Sequence, residues 1–302
     1  MLKKSGCIFC ERPKVKYAAI LDHKGQYSIK TMCKALNVAR SGYYQWFNSP
    51  ESSYEYKKRV VKKRILDTYE EFKARYGSRR ITEELKALGY SCSVNYVAKI
   101  MHDSDIKAHN GKGFKYPKRS LSMNNVSDNI LWRNFSASTI NEKWTSDITY
   151  IWVKDRWMYL AVVMDLYSRK IVGWALGSSM TYELIMEALS VAISRRGDTE
   201  NTILHSDRGV QYRSQKYIDF AHRHGFQLSI SRRGNCWDNA PMESFFSRLK
   251  VEMVYPNNFQ RIDDLKSGIF EYIEIFYNRK RRHSLLNYKS PMEYEEQLKV
   301  VA

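Results

Sequence analysis

Three acidic residues stand at positions where a metal-dependent enzyme could use them. Asp147 lies inside an apolar and β-branched run, residues 144–153, and Asp207 directly follows a second such run, residues 201–206. Glu243 falls near the start of a predicted helix, and 35 residues separate it from Asp207. A charge inside a half-buried strand is costly without a partner, so Asp147 in particular requires an explanation.

Each acid also has an ordinary structural interpretation, because strand ends often carry a turn Asp and a Glu favours the first turn of a helix. Together the three acids fit phosphodiester chemistry better. Two Mg²⁺ ions roughly 4 Å apart can stabilise the attacking and leaving oxygens of an in-line displacement, and carboxylate oxygens suit Mg²⁺. We therefore predict that Asp147, Asp207 and Glu243 are both the metal ligands and the catalytic residues.

Two polar residues share the predicted helix face of Glu243. Residues three and four apart are neighbours on a helix, so Asn239, Glu243, Ser247 and Lys250 form one row. Lys250 is predicted to grip a DNA phosphate next to the metals, and Asn239 is predicted to contact DNA. The alternative for Lys250 is an ordinary solvated lysine.

The elements around these acids predict an α/β fold, a mixed five-stranded sheet with helices on both faces. Hydrophobic periodicity gives three strands, a helix, a strand, a helix, a strand and a final helix. Their predicted bounds, in order, are 144–153, 157–166, 170–176, 181–196, 201–206, 214–224, 226–231 and 239–253. This order of elements is also that of the ribonuclease H-like fold.

The chain ahead of this sheet is strongly basic. Residues 1–120 hold 26 Lys and Arg against 11 Asp and Glu, whereas residues 121–302 hold 24 against 21. Phosphate backbones bind such surfaces through counterion release, so the imbalance indicates a nucleic-acid partner. A solvated basic surface or contact with an acidic membrane is the alternative.

The same basic region is predicted to be helical and to bind DNA. Residues 17–48 follow a helix-turn-helix pattern that begins at Tyr17 and has Ser41 as the cap of its second helix. A second helical unit spans residues 54–104. There Thr82 resembles a helix cap, and Ser93 is expected to cap the last helix.

Several other classes of protein are disfavoured. The longest apolar run, residues 157–164, is far shorter than a membrane-spanning helix, and the N-terminus lacks a signal-peptide core. Five irregularly spaced cysteines argue against a disulfide framework. Cys7 and Cys10 have the spacing of half a zinc site, but no matching second pair follows, so we interpret them as incidental.

Long motifs around the three acids resemble the catalytic signatures of insertion sequence three family transposases, the product of the second reading frame. The matching segments are 144–149, 205–212 and 234–250, and residues 76–81 resemble the helix-turn-helix segment that precedes the family's core. Retroviral integrases have a similar core with the same 35-residue gap. A C-terminal signature also matches at Tyr277, Asn278, Arg281, His283, Leu286, Tyr288, Ser290 and Pro291.

This resemblance implies a transposase that nicks DNA at the element's ends and uses the freed 3′-hydroxyl for strand transfer. It implies Mg²⁺ as cofactor, with Mn²⁺ able to substitute and two ions per site once DNA is bound. The implied partners are double-stranded DNA with terminal inverted repeats, target DNA, other copies of the chain on DNA, and the upstream reading-frame product as fusion or complex. The expected location is the bacterial cytoplasm, at the nucleoid, with no membrane partner.

Four further DNA contacts are predicted, at Arg79, Arg80, Arg281 and His283, since they belong to these motifs and to basic clusters. Five parts are predicted: a helix-turn-helix-like segment (1–50), a second helical DNA-binding domain (51–110), a basic linker (111–140), the ribonuclease H-like core (141–255) and a basic helical extension (256–302). The alternatives are a ribonuclease H-type nuclease, which would cut without joining, and a catalytically inactive DNA-binding regulator.

Overall fold

The computed structural model describes residues 8, 11–48, 53–109, 129–232 and 236–301. The chain divides into two compact units between Asp67 and Thr68. Cys7 and Cys10 lie outside the described residues, as do residues 111–128 of the predicted basic linker. The five-part division therefore remains a prediction.

The first unit contains three short helices, α1 (Pro13–Asp22), α2 (Ile29–Ala35) and α3 (Arg40–Asn48). Their shared core is built on the buried side chains of Ile20, Cys33 and Tyr43. Helix α1 begins four residues before the predicted start, because the fixed φ of Pro13 suits a first helical turn. Helix α3 already includes Ser41, so the prediction of that residue as its cap is wrong.

Three helices precede the sheet: α4 (Ser53–Glu71), which crosses the division between the units, α5 (Ser78–Ala87) and α6 (Val94–Asp103). The Ser93 hydroxyl accepts the Tyr96 N–H at 3.2 Å, which confirms the predicted cap of α6. The predicted cap at Thr82 is wrong. Helix α5 begins directly after Gly77, and the Thr82 hydroxyl donates to the Ser78 carbonyl at 2.8 Å inside the helix.

The central element of the second unit is a mixed five-stranded sheet with strand order β3-β2-β1-β4-β5. Strand β1 pairs antiparallel with β2 and parallel with β4. The predicted sheet is confirmed, with small shifts at the strand ends. The strands are β1 (Lys143–Val153), β2 (Arg156–Asp165), β3 (Ile171–Gly177), β4 (Ile203–Ser206) and β5 (Gln227–Ile230).

Helices cover both faces of this sheet because successive strand side chains point to opposite sides. Trp144 packs in a core with α7 (Tyr182–Arg196) and α8 (Gln215–Arg223). Its neighbour Thr145 bonds to Asn239, at the start of α9 (Ala240–Leu249), on the other face. Helix α7 comes so close to β3 that a side chain at Gly173 would collide with the Ala188 carbonyl oxygen.

The chain after α9 is helical and returns to the sheet. It contains a π-helical turn (Lys250–Val254), α10 (Tyr255–Asn257), α11 (Ile262–Phe270), a second π-helical segment (Glu271–Tyr277) and α12 (Pro291–Val301). The Asn278 amide bonds to both the N–H and the carbonyl of Ile171 at 2.9 Å, as a neighbouring strand would. This signature residue therefore closes the free edge of β3.

The segment around α5 is fixed to this C-terminal region by polar contacts. Arg75 forms an ion pair with Glu271 at 2.8 Å, and the Tyr76 hydroxyl donates to the Lys280 carbonyl at 3.1 Å. Arg282 donates to the Glu84 carboxylate at 2.8 and 3.0 Å. Within the described residues, the structure contains no helix with the length and apolarity needed to span a membrane.

Candidate active site

The parallel pairing of β1 with β4 brings the first two predicted acids together. Ser146 on β1 and Ser206 on β4 are the last residues paired in their register. Asp147 and Asp207 each come directly after this last pair. The two aspartates therefore occupy equivalent positions on the neighbouring segments. Asp147 is half-buried and Asp207 is exposed, at the carboxyl end of β4, where open α/β sheets commonly bind ligands.

Backbone N–H groups orient one oxygen of each carboxylate. The N–H of Ile148 donates to Asp147 Oδ1 at 2.8 Å, and the N–H of Gly209 donates to Asp207 Oδ1 at 2.8 Å. A Cβ atom at Gly209 would lie 3.0 Å from that Asp207 oxygen and 2.9 Å from Gln211 Oε1. Glycine is therefore needed here so that the backbone can approach the carboxylate.

Helix α9 carries Glu243 in its first turn and is fastened to β1 just ahead of Asp147. The buried Asn239 accepts a hydrogen bond from the Thr145 hydroxyl at 2.6 Å and donates to the Ser146 carbonyl at 3.5 Å. Because Thr145 and Ser146 immediately precede Asp147, these bonds fix the start of the helix relative to the strand that carries the first acid.

A buried ionic cluster also holds the segment before α9. The Asp238 carboxylate accepts hydrogen bonds from Arg133 at 2.8 Å, from Arg232 at 2.9 and 3.1 Å and from Asn129 at 3.0 Å. Burial raises the pKa of Asp238, but the bonds from Arg232 and Arg133 outweigh burial and hold it well below its usual range. Asp238 is thus an anchor for the start of α9.

The three predicted catalytic carboxyls share an unfavourable concentration of negative charge. Burial raises the pKa of Asp147, and the nearby charges of Asp207 and Glu243 raise it further. Partial loss of hydration also raises the pKa values of Asp207, whose side chain still reaches solvent, and of Glu243. A cation bound among them would relieve both the repulsion and the loss of hydration. In the described parts of the chain, no three His, Cys, Asp or Glu side chains form a ready-made metal cage.

Lys250 lies beside this acidic site, at the start of the π-helical turn after α9. Its Nζ is 4.7 Å from the centroid of the Tyr150 ring, a cation–π contact. Burial lowers the pKa of Lys250, whereas the charge of Asp147 raises it. The ammonium is therefore held within electrostatic reach of the first acid, and its contact with a DNA phosphate stays a prediction.

The other predicted DNA contacts lie in different surroundings, and two of them, Asn239 and Arg281, are buried. Asn239 is 4% exposed and fastens α9 to β1, and Arg281 is 3% exposed and donates to Glu252 at 2.9 and 3.2 Å. Their polar atoms are used inside the protein. Arg80 and His283 are half-buried, and Arg79 is exposed on α5.

Sequence reasoning gave no separate role to Tyr212, which the structure places behind the two aspartates. Its buried hydroxyl lies 3.0 Å from Ser146 Oγ. Burial raises the pKa of Tyr212 well above its usual range, and the charges of Asp147 and Asp207 add to that shift. The hydroxyl therefore stays protonated. Its hydrogen bond holds Ser146, the residue that precedes Asp147 on β1. In the sequence, the signal for a role of Tyr212 is its position at the end of the motif 205–212.

Models of known families match three parts of the chain. Two Integrase core domain models match residues 137–236 and 243–298, and an HTH-like domain model matches residues 55–112. The mixed sheet, with one acid within β1, one directly after β4 and one on α9, defines an enzyme of the transposase and integrase class, a polynucleotidyl transferase that acts on DNA.

Individual relatives identify the family. The transposase InsF for insertion sequence IS3A of Escherichia coli strain K12 is 39% identical over 283 residues, which are 93% of this chain and 98% of that protein. The insertion element IS600 uncharacterized 31 kDa protein of Shigella sonnei is 36% identical over 88% of this chain and 97% of its own length. The chain belongs to the IS3 family of transposases.

A solved retroviral structure also matches part of the chain. The HTLV-2 integrase catalytic core domain in complex with magnesium is 17% identical and covers 52% of this chain and 97% of its own, with a TM-score of 0.37.

Proposed function

We propose that this transposase binds two Mg²⁺ ions through Asp147, Asp207 and Glu243 and cleaves and joins DNA at the ends of its own element. The observation that carries the proposal is the β1–β4 register, in which Asp147 and Asp207 each come directly after the last paired residues, Ser146 and Ser206. Oxygen donors suit Mg²⁺, and Mn²⁺ is expected to substitute. When bound, the ions stabilise the attacking and leaving oxygens.

The cleavage step is hydrolysis of one phosphodiester at the element end. Water supplies a hydroxyl to phosphorus, the bond from phosphorus to the 3′-oxygen breaks, and that oxygen takes up the remaining proton. The products are a 5′-phosphate and a free 3′-hydroxyl. Lys250, held against Tyr150, is placed to neutralise a non-bridging phosphate oxygen during this step.

The joining step uses the same site and needs no energy-rich cofactor. The freed 3′-hydroxyl oxygen attacks a second phosphodiester, one phosphorus–oxygen bond forms and one breaks, and the displaced 3′-oxygen gains the proton. Bond number is conserved, so the chain's residues need only align the reactants and stabilise charge. Asp147 is oriented by the Ile148 N–H and directly follows Thr145 and Ser146, the residues that bond to the start of α9.

The basic helices before the sheet are proposed to bind the terminal inverted repeats and to deliver them to this site. The HTH-like match at residues 55–112 and the charge excess in residues 1–120 support this assignment. We also propose that the chain works as a homo-oligomer on DNA in the bacterial cytoplasm, at the nucleoid. No sustained heptads occur in the sequence, so we expect the upstream reading-frame product to supply a multimerising element.

The decisive experiment follows Mg²⁺-dependent cleavage and joining of DNA that carries the element's ends, with intact and pre-nicked substrates. Asp147→Asn should retain DNA binding and lose cleavage by at least about 10³-fold, because one of the three carboxylates that would hold the ions is removed. Asp155→Asn, an exposed acid in the β1–β2 turn, is the matched control and should behave as wild type.

Three outcomes would count against the proposal. Cleavage that persists in Asp147→Asn refutes the site. Hydrolysis of pre-nicked ends without any joined product would mean a nuclease and not a strand transferase. DNA binding without any metal-dependent chemistry in the wild type would mean an inactive regulator.

A further inference from the structure

A cationic cavity lies on another side of α9 from the acidic site. It has a volume of about 370 Å³ and is lined by basic side chains from four parts of the chain: Arg80 of α5, Arg169 of the β2–β3 turn, Arg248 of α9, and Arg281 with His283 of the C-terminal signature. We call it the arginine cavity. Among the described residues that line it, none is acidic. The exposed Ser284 and Leu285 also line it, so it opens to the surface.

Only part of this positive charge is neutralised by the protein. Glu252 accepts both hydrogen bonds from Arg281 and also lies 3.9 Å from Arg80, so one carboxylate serves two guanidinium groups. Arg169 donates to the Phe135 carbonyl, which carries no net charge. The cavity therefore keeps an excess of positive charge, and such an excess at a water-excluding wall attracts an anion.

Two of the basic groups, Arg80 and His283, are harder to protonate than usual. Burial lowers the pKa of Arg80, and the neighbouring charges of Arg281 and Arg248 lower it further. Burial and the charges of Arg281 and Arg169 lower the pKa of His283 to about 4. An anion among these groups would offset this repulsion, as an opposite charge always favours the charged form of its neighbour.

His283 provides a further sign of a missing partner. Its Nδ1 atom is buried and has no hydrogen-bond partner among the described residues. Buried polar atoms are usually satisfied, and the His283 ring lines the cavity, so a rotation of the ring toward the cavity would let Nδ1 bond a ligand there. Neutral imidazole can carry its proton on Nδ1 and donate it to an anionic oxygen.

The chemistry of the lining selects a phosphate group. Arginine forks bind phosphate oxygens in pairs, and the aromatic walls formed by Phe135, Phe245 and Tyr277 can cover the sugar or base attached to a phosphate. Pro241, Ser244 and Arg248 line one wall, on the same helix that carries Glu243. A ligand in the cavity is therefore one helix away from the proposed reaction.

We infer that the arginine cavity binds a phosphate of the DNA strand next to the scissile phosphodiester, and this inference rests on the proposed function. Residues of the C-terminal Arg-x-His signature and of the Arg80 motif would then line one and the same ligand site. Arg80 donates to the Arg282 carbonyl and Arg281 pairs with Glu252, so these two arginines form the walls of the cavity. The groups with capacity to bind the phosphate are Arg169, Arg248 and His283.

The first experiment tests phosphate binding without DNA, with inorganic pyrophosphate as the probe and the full chain as the protein. The double variant Arg169→Gln, Arg248→Gln should bind pyrophosphate at least about tenfold more weakly than wild type in calorimetry, because two charge-assisted contacts are lost. Arg223→Gln, an exposed arginine on α8, is the control and should bind as wild type. Equal binding by wild type and the double variant overturns the site.

The double variant is chosen to preserve the fold. Arg248 is exposed, so its replacement disturbs no packing. Arg169 has a φ of 60°, and glutamine adopts this backbone conformation at the same energetic cost as arginine. Thermal unfolding by circular dichroism is measured for each protein. His283→Gln serves as an independent second variant, and it should also weaken pyrophosphate binding.

The second experiment asks whether DNA supplies the phosphate. End duplexes each carry one neutral methylphosphonate in place of a phosphate near the cleavage position. With the methylphosphonate at one of these positions, wild type should bind the duplex about tenfold more weakly than it binds the unmodified duplex. The double variant should bind the modified and unmodified duplexes equally. Undiminished interference in the double variant overturns the assignment to DNA, even if pyrophosphate binds.

The two proposals can fail separately. If wild type shows no Mg²⁺-dependent cleavage but the pyrophosphate result holds, the proposed function fails and the anion site stands. If wild type cleaves and joins DNA and the double variant matches it in both binding assays, the arginine cavity fails and the proposed function stands.

Discussion

At the scale of single residues, the catalytic acids occupy an environment that disfavours their own charge. Burial and like charges raise the pKa of Asp147, which only the Ile148 N–H and Lys250 oppose. The protein therefore has lower stability at this site than a neutral side chain would give. Carboxyl groups with pKa values raised in this way are common at sites that bind a charged ligand.

This cost gives a stability prediction for Asp147→Asn in the absence of divalent ions. A raised folded-state pKa means that the contribution of Asp147 to stability is present below its unfolded pKa of about 3.9 and is lost as pH rises through the folded pKa. At neutral pH, Asp147→Asn should melt higher than wild type by roughly 2–4 °C, the range expected for ~1 kcal/mol in a domain of this size. The gap should narrow as pH falls.

Differential scanning calorimetry at several pH values checks this prediction, with Mg²⁺ added in a second series. Mg²⁺ should raise the melting temperature of wild type and leave that of Asp147→Asn almost unchanged. A variant that melts lower than wild type at neutral pH without metal would contradict the charge argument.

At the scale of elements, the site depends on how α9 and the chain after it are fastened to the sheet. Asn239 joins the start of α9 to β1, and Asn278 closes the β3 edge. Further along, Glu252 in the π-helical turn receives hydrogen bonds from Arg281 and from the Tyr272 hydroxyl, at 2.8 Å for the latter. This buried pair connects α9 with the C-terminal signature.

Removing the negative charge of this pair should destabilise the second unit. Glu252→Gln leaves Arg281 buried without a counter-charge, which typically costs ~3–5 kcal/mol. Burial raises the pKa of Glu252, but Arg281 and Arg80 outweigh it and lower that pKa, so the pair's contribution is present at neutral pH and is lost as pH falls through the folded pKa.

Urea unfolding at neutral pH measures the effect of Glu252→Gln. Asp155→Asn, which removes the exposed partner of Arg156, should leave the unfolding midpoint unchanged, because solvent-exposed pairs contribute little. Equal midpoints for Glu252→Gln and wild type would show that the buried pair does not hold the C-terminal region.

At the scale of the whole molecule, the helices before the sheet do not all belong to one module. Residues up to Asp67 form their own compact unit, whereas α5 is part of the unit that contains the sheet. The aromatic ring of Tyr76 stacks on Phe72 at 4.2 Å and lies 5.9 Å from Phe276. The segment around α5 is thus integral to the core of the second unit.

Two truncations should therefore differ sharply. Removal of residues 1–52 should leave cooperative unfolding of the second unit intact, while it weakens binding to DNA ends and flattens its salt dependence, since many basic residues are lost. Removal of residues 1–112 also strips Arg75, Tyr76 and Arg80 from the C-terminal region and should lower stability markedly.

Circular dichroism melts and binding titrations at several salt concentrations separate these outcomes. If the chain without residues 1–112 melts like the chain without residues 1–52, the contacts around α5 contribute nothing to the fold. If end binding survives the loss of residues 1–52 with an unchanged salt slope, those residues are not a DNA-binding element.

The sequence predicted the sheet and its helices well because their signals are local. The apolar and β-branched run in 144–153 and the helical period in 181–196 are both local patterns, and both elements appear within two residues of their predicted bounds. Helix starts were predicted less well. Ser41 and Thr82 have the residue type of a cap, but the helices begin earlier, because neighbouring packing decides where the first turn forms.

The three acids, their spacing and the family were already determined by the sequence, since residue types, strand ends and long motifs are all readable along the chain. Which basic residues face solvent was decided only by the tertiary structure. Arg281 and Asn239 have the appearance of DNA contacts in the sequence, yet one balances Glu252 and the other holds α9 to β1. The partner of a charge is set by residues distant along the chain, and only folding brings them together.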